Sequence, residues 1–67
     1  MPNFEGGDRV VAAVDIYLTE RDGTQTDYLL AREGDPMVVR DSRTMEVSAL
    51  SNPLFSFEVK SHQIRPE

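Results

Sequence analysis

From Val10 onward every second residue is apolar: Val10, Ala12, Val14, Ile16 and Leu18 share one parity, while polar Asp15 and Thr19 fall on the other. Side chains alternate across a strand but recur every 3.6 residues around a helix, so this spacing predicts one long strand with a core-facing side. A helix would also crowd Val10, Val11, Val14 and Ile16, whose β-branched side chains lose rotamer freedom against the preceding turn. The alternation returns near the other end, where Phe55, Phe57 and Val59 are interleaved with Ser56, Glu58 and Lys60. No helical period appears between them, and the chain is expected to be all-β.

Turn chemistry divides the rest. Asp22-Gly23 is the pair best able to adopt positive φ in a tight hairpin, so the chain should reverse there. A second strand is expected from Thr26 to Arg32. Its adjacent apolar residues Leu29, Leu30 and Ala31 imply either burial on both faces or a bulge. Glu33-Gly34-Asp35-Pro36 punctuates again, and Pro36, which has no N–H for a ladder, belongs at a strand entrance. Met37 to Arg40 should form a third strand and Asp41-Ser42-Arg43 a turn. Met45, Val47 and Ala49 are expected on the inward side of a fourth strand, and Ser51-Asn52-Pro53 breaks the chain once more. After the Phe55 to Val59 strand, Ile64 is the one apolar anchor of the tail, placed in a short closing strand after a single turn.

With 67 residues the chain makes a single domain. A domain of this size buries only about 60% of the surface its unfolded form exposes. Five or six short strands without a helix to cover their edges point to a small closed or nearly closed barrel. Residues 1–7 would stand as a flexible or edge segment. The expected core comprises Val10, Ala12, Val14, Ile16, Leu18, Leu30, Met37, Val39, Met45, Val47, Phe55, Phe57, Val59 and Ile64.

Gly7-Asp8-Arg9-Val10-Val11, then Arg32-Glu33-Gly34-Asp35 leading into Met37-Val38-Val39, and the segment ending at Ile64 resemble a bacterial Src-homology-3-like small β-barrel. Gly7-Asp8-Arg9-Val10, Glu33-Gly34, Asn52-Pro53-Leu54, and His62 followed by Arg65-Pro66-Glu67 also resemble the variable chain of ferredoxin:thioredoxin reductase. That second resemblance implies an accessory barrel subunit, without a cofactor of its own, supporting a catalytic iron–sulfur partner. The signalling barrels of the first kind bind proline-rich peptides on an aromatic groove beside an acidic loop. The acidic loop has a counterpart here between Leu18 and Tyr28, but the chain contains no tryptophan, so the wall of such a groove is missing.

Charge and composition narrow the function. Twelve acids against seven bases give a net charge of −5, which opposes binding to a phosphate backbone. The imbalance is local. Residues 1–35 carry eight acids and three bases, and residues 36–67 carry four of each. Cysteine is absent, which removes disulfides, thiolate chemistry and the usual structural zinc patterns. No run reaches the about 18 apolar residues of a membrane span, and Met1-Pro2-Asn3-Phe4-Glu5 lacks the features of a signal peptide. A reduced, cytoplasmic protein is expected, with no cofactor, no metal, no nucleic acid and no membrane among its partners.

The lone histidine, His62, has no partner acid or nucleophile in any recognisable motif. Catalysis would need a pocket of ~300 Å³ or more, whereas a barrel this small is filled by its own side chains. The chain therefore reads as a non-enzyme: a protein-binding module or accessory subunit. Its candidate partner-binding residues are Tyr17, Glu20, Asp22, Asp27 and Tyr28, three acids around one turn with a tyrosine at each base, facing a basic partner. Two other readings stand beside it. One is an acidic inhibitor, viral or from a mobile element, that mimics nucleic-acid charge. The other is an RNA-binding barrel of the Sm or cold-shock type, for which Arg40, Arg43, Lys60 and Arg65 are sparse.

Overall fold

The computed structural model describes residues 4–67. Seven strands follow one another: β1 (Arg9–Ala12), β2 (Ile16–Thr19), β3 (Gln25–Ala31), β4 (Pro36–Asp41), β5 (Glu46–Ala49), β6 (Ser56–Glu58) and β7 (Ile64–Pro66), with one turn of 3-10 helix, Ser61–Gln63, before the last. They form two antiparallel sheets. One has five strands in the order β6-β5-β4-β1-β7, and the other is the β2–β3 hairpin alone. The all-β expectation holds. A closed barrel does not form, because no ladder joins the two sheets among the described residues.

The expected long first strand is two strands. After Ala12 the backbone turns to other partners: the Ala12 amide donates to the Asp35 carbonyl, its carbonyl accepts from the Gly34 amide, and the Ala13 amide donates to the Gln63 carbonyl. The chain bends at Ala13 and Val14 and restarts as β2. Asp15 fixes the restart, its carboxylate accepting from the Glu33 amide at 2.8 Å. Val14, assigned to the core by parity, is thus exposed at the bend.

The core lies against the five-stranded sheet. Val10, Ala12, Met37, Val39 and Val47 are fully buried and join Ile16, Ala31, Phe57, Val59 and Ile64 in one cluster, with Phe4, Leu30 and Met45 packed on it. Pro36 opens β4 as expected and pairs with Val11 in β1. The turn into β5 puts Met45 at φ 57°, a left-handed conformation unfavourable for a side chain with a Cβ. The Met45 carbonyl there accepts from the Val59 amide at 3.0 Å. Ser48 is fully buried and its hydroxyl has no hydrogen-bond partner.

Leu18 and Phe55 depart from the expected core for a common reason. Both lie on the parity that faces inward, but Leu18 stands toward the hairpin end of β2 and Phe55 just before β6 begins, and they are 41% and 47% exposed. The Phe55 ring still meets Phe57, with centroids 6.0 Å apart. Of the two alternatives that Leu29-Leu30-Ala31 left open, an irregular ladder is present: pairing passes from Ile16↔Ala31 to Tyr17↔Leu29 to Thr19↔Gln25 with two register shifts.

Of the segment 1–7, residues 1–3 lie outside the described residues. Phe4 packs on the core, and the Gly7 amide donates to the Val39 carbonyl at 2.7 Å. The Arg9 guanidinium reaches the Glu67 carboxylate at 3.0 Å. This exposed pair ties β1 to the chain end and contributes about 0–1 kcal/mol. No helix among the described residues is long and apolar enough to cross a membrane.

Candidate functional site

The five residues singled out from sequence all lie on the hairpin. The hairpin tip is built by backbone and side chain together. The Glu20 amide donates to the Thr24 carbonyl, the Gly23 amide donates to the Glu20 carbonyl, and Gly23 sits at φ 91°. Asp22 completes the turn, its carboxylate accepting from the Thr24 amide at 2.8 Å. That hydrogen bond holds the Asp22 carboxyl below its ordinary value of 3.8, because accepting an N–H favours the charged form. Further down, the Thr26 hydroxyl donates to the Leu18 carbonyl and accepts from the Tyr28 amide, spanning the irregular stretch of the ladder.

The structure separates the five residues into two groups. Tyr17, half-buried, and Glu20 line an open groove between the hairpin and the β6–3-10 segment. Asp22, Asp27 and Tyr28 do not line it. Tyr28 is 65% exposed, and Asp27 is exposed beside it. The side chains of Glu20, Asp27 and Tyr28 make no hydrogen bond or ion pair within the described residues, so their polar atoms face solvent.

The groove has a volume of about 870 Å³. This is larger than the sequence reading allowed, so size does not argue against catalysis. Leu18, Leu30, Phe55, Phe57 and Val59 give it an apolar floor, while Glu20, Arg21, Glu58 and Lys60 give it a rim of mixed charge. His62 also lines it, and its ring makes no hydrogen bond to a carboxylate or hydroxyl among the described residues. Nor do three His, Cys, Asp or Glu side chains meet anywhere among the described residues to hold a metal ion.

Sequence reasoning missed Leu18 and Phe55 as groove residues because parity shows which way a side chain points and not whether anything covers it. It also missed what the acids do. Asp8, Asp15, Asp22, Asp35 and Asp41 each accept a backbone N–H at a turn or bend, from Glu5, Glu33, Thr24, Arg32 and Arg43 respectively. Asp27 is the remaining aspartate. Short carboxylates reach nearby backbone: Asp22 and Asp41 take the amide two residues on, Asp8 and Asp35 the amide three residues back, and Asp15 an amide from the segment after β3. The signal was present in Asp22-Gly23-Thr24 and in Asp41-Ser42-Arg43, where the acid stands two residues before the amide it accepts.

Compared with descriptions of protein families, with curated proteins and with solved structures, the chain matches none.

Proposed function

We propose that the chain is a non-catalytic protein-binding module, or an accessory subunit of a larger assembly, that meets a basic partner through the β2–β3 hairpin. The observation that carries this reading is that, among the described residues, the side chains of Glu20, Asp27 and Tyr28 are exposed without a hydrogen bond or ion pair, on a hairpin that pairs only with itself. Four of the eight acids before Pro36 are engaged in turns, so their positions follow the backbone. Glu20 and Asp27 have no such duty. Tyrosine is a frequent interface anchor, and complementary charge speeds encounter more than it prolongs the complex. The turn-bound placement of the other aspartates also weighs against an inhibitor that imitates the spacing of phosphates.

The strand order β6-β5-β4-β1-β7 supports the finer fold proposal, an open variant of the Src-homology-3-like barrel. So do the hairpin inserted between β1 and β4 and the 3-10 turn before β7.

The test is kinetic. Once a partner is captured from the source cell, replacing Glu20, Asp22 and Asp27 with their amides should lower the association rate and flatten its salt dependence. Asn at position 22 keeps the oxygen that caps the turn, so the fold survives. Tyr28→Ala should chiefly raise the dissociation rate. If both folded variants bind the partner unchanged, the hairpin is not the contact surface.

A further inference from the structure

The groove is walled by two strand edges. A strand face contributes alternate residues to a surface, but β2 lines the groove with Tyr17, Leu18, Thr19 and Glu20 in succession, and the opposite wall runs without interruption from Phe55 to Lys60. Among the described residues each of these strands has a partner on one side only, β3 for β2 and β5 for β6. The backbone on the unpaired side of β6 can be assigned. In an antiparallel pair, residues alternate between bonding to the partner and directing N–H and C=O away from it. The Val59 amide donates to the Met45 carbonyl, in register with Glu46↔Glu58 and Val47↔Phe57. Phe57 and Val59 therefore bond toward β5, and Ser56 and Glu58 present their amides and carbonyls to the open edge. Such a row is a template for another strand.

The side chains state what that strand should carry. Phe57 and Val59 point to the apolar floor, so the residues beside them must be apolar. Glu58 points outward, directly across β5 from Glu46, and like charges in that position are unfavourable. Glu46 accepts a hydrogen bond from the Ser56 hydroxyl at 3.4 Å, but neither glutamate is in an ion pair among the described residues. Lys60, on the same side of the chain as Glu58, does not pair with it, and Arg21 belongs to the opposite wall.

We infer that an extended segment of a partner chain, apolar at alternate positions with Lys or Arg between them, adds to the free edge of β6 inside this groove. Its basic side chain stands next to Glu58. This rests on the protein-binding reading above and goes beyond it by naming the recognition mode, strand addition with main-chain hydrogen bonds giving affinity and alternate side chains giving specificity.

The probe is a synthetic seven-residue peptide alternating Val with Lys and Thr, titrated into the full chain while backbone amide exchange is followed by NMR. Exchange at Ser56 and Glu58 should slow by about tenfold or more at saturation, while Phe57, already bonded to β5, should change little. A peptide N-methylated at its edge-facing amides should lose binding. Glu58→Lys, an exposed substitution that leaves the core intact, should reverse preference toward a peptide carrying Glu in place of Lys. Four results would overturn the inference: no binding at millimolar peptide, binding without protection of Ser56 and Glu58, equal binding of the N-methylated form, or preference for a proline-rich basic peptide. Protection of the same two amides by self-association of the chain, without peptide, would also overturn it by making a second copy the occupant. Each of these leaves the rate test on Glu20, Asp22, Asp27 and Tyr28 with its own outcome, so a failure of strand addition is distinguishable from a failure of the hairpin as a contact surface.

Discussion

The five-stranded sheet and the β2–β3 hairpin are both rich in apolar residues, but they use them differently. In the sheet, Val10, Ala12, Met37, Val39 and Val47 are fully buried and each strand contributes to one interior. In the hairpin only Ile16 and Ala31, paired with each other at its base, are buried. Leu18 and Tyr28 remain largely open to solvent. The sheet is held by packing, whereas the hairpin beyond its base is held by its own ladder and by turn-capping hydrogen bonds. An isolated two-stranded hairpin is marginal in water, so this one owes its order to the foothold of Ile16, Leu30 and Ala31 on the core. Its outer part can meet a partner without disturbing the core.

The largest test of that contrast compares two phenylalanines two residues apart. Phe57→Ala should cost about 3–5 kcal/mol, which approaches the whole stability of a small domain. Phe55→Ala, just before the same strand begins, should cost about 1 kcal/mol or less. Urea denaturation of both variants reads the difference. Equal losses would mean that the strand end belongs to the core after all.

Two glycines extend the comparison to the backbone. Gly23 and Gly34 have nearly the same positive φ, 91° and 89°, and a Cβ at either would meet nothing within 4 Å. Strain alone decides the effect of alanine, about 1–2 kcal/mol. Gly34→Ala should show this in full, since the Gly34 amide is bonded to the Ala12 carbonyl next to the core. Gly23→Ala should register less in global unfolding, because a tip that opens on its own can rearrange to relieve the strain.

Among the described residues, Ser48 holds the one buried side-chain polar atom without a hydrogen-bond partner. Its unpartnered hydroxyl carries a desolvation cost of about 1–3 kcal/mol, so Ser48→Ala should leave stability unchanged or raise it by about 1 kcal/mol, measured by thermal and urea unfolding. A clear loss would show that the hydroxyl has a partner.

The smallest effect belongs to the hairpin tip. Asp22 has a lowered folded-state pKa. A group of this kind stabilises the structure above the ordinary carboxylate value, and that contribution disappears as the pH falls through the lowered one. NMR titration should show the Asp22 carboxyl protonating below 3.8, with the Thr24 amide resonance moving in step. A Thr24 amide indifferent to that titration would break the link between the acid and the turn.

How far the sequence foretold this is uneven, and the reason is physical. Alternation placed Phe57, Val59, Val47 and Met37 correctly because a strand crossing the middle of a sheet has cover on its inner face. It joined β1 to β2 because a two-residue bend at Ala13 and Val14 preserves parity, so Ile16 and Leu18 continued the pattern by coincidence. Turn chemistry at Asp22-Gly23 and Pro36 was legible, since those residues act on their own neighbours. The groove was not. It arises from the approach of β2 to β6, strands about 40 residues apart with no pairing signal between them, and such long-range closeness leaves no local trace. The candidate acids were identified by charge, but charge does not distinguish Asp22, which builds its turn, from Asp27, which does not.

Native-state hydrogen exchange tests the central contrast most directly. The amides of Ala12, Val39 and Val59 in the framework, and of Glu20, Gly23 and Thr24 in the hairpin, are all hydrogen-bonded within the chain, so bonding alone cannot separate them. If the hairpin opens independently of the sheet, the first three should exchange at the free energy of global unfolding and share its urea dependence. The second three should exchange through a smaller local opening that is insensitive to urea. One common free energy and one common urea slope for all six amides would contradict the account.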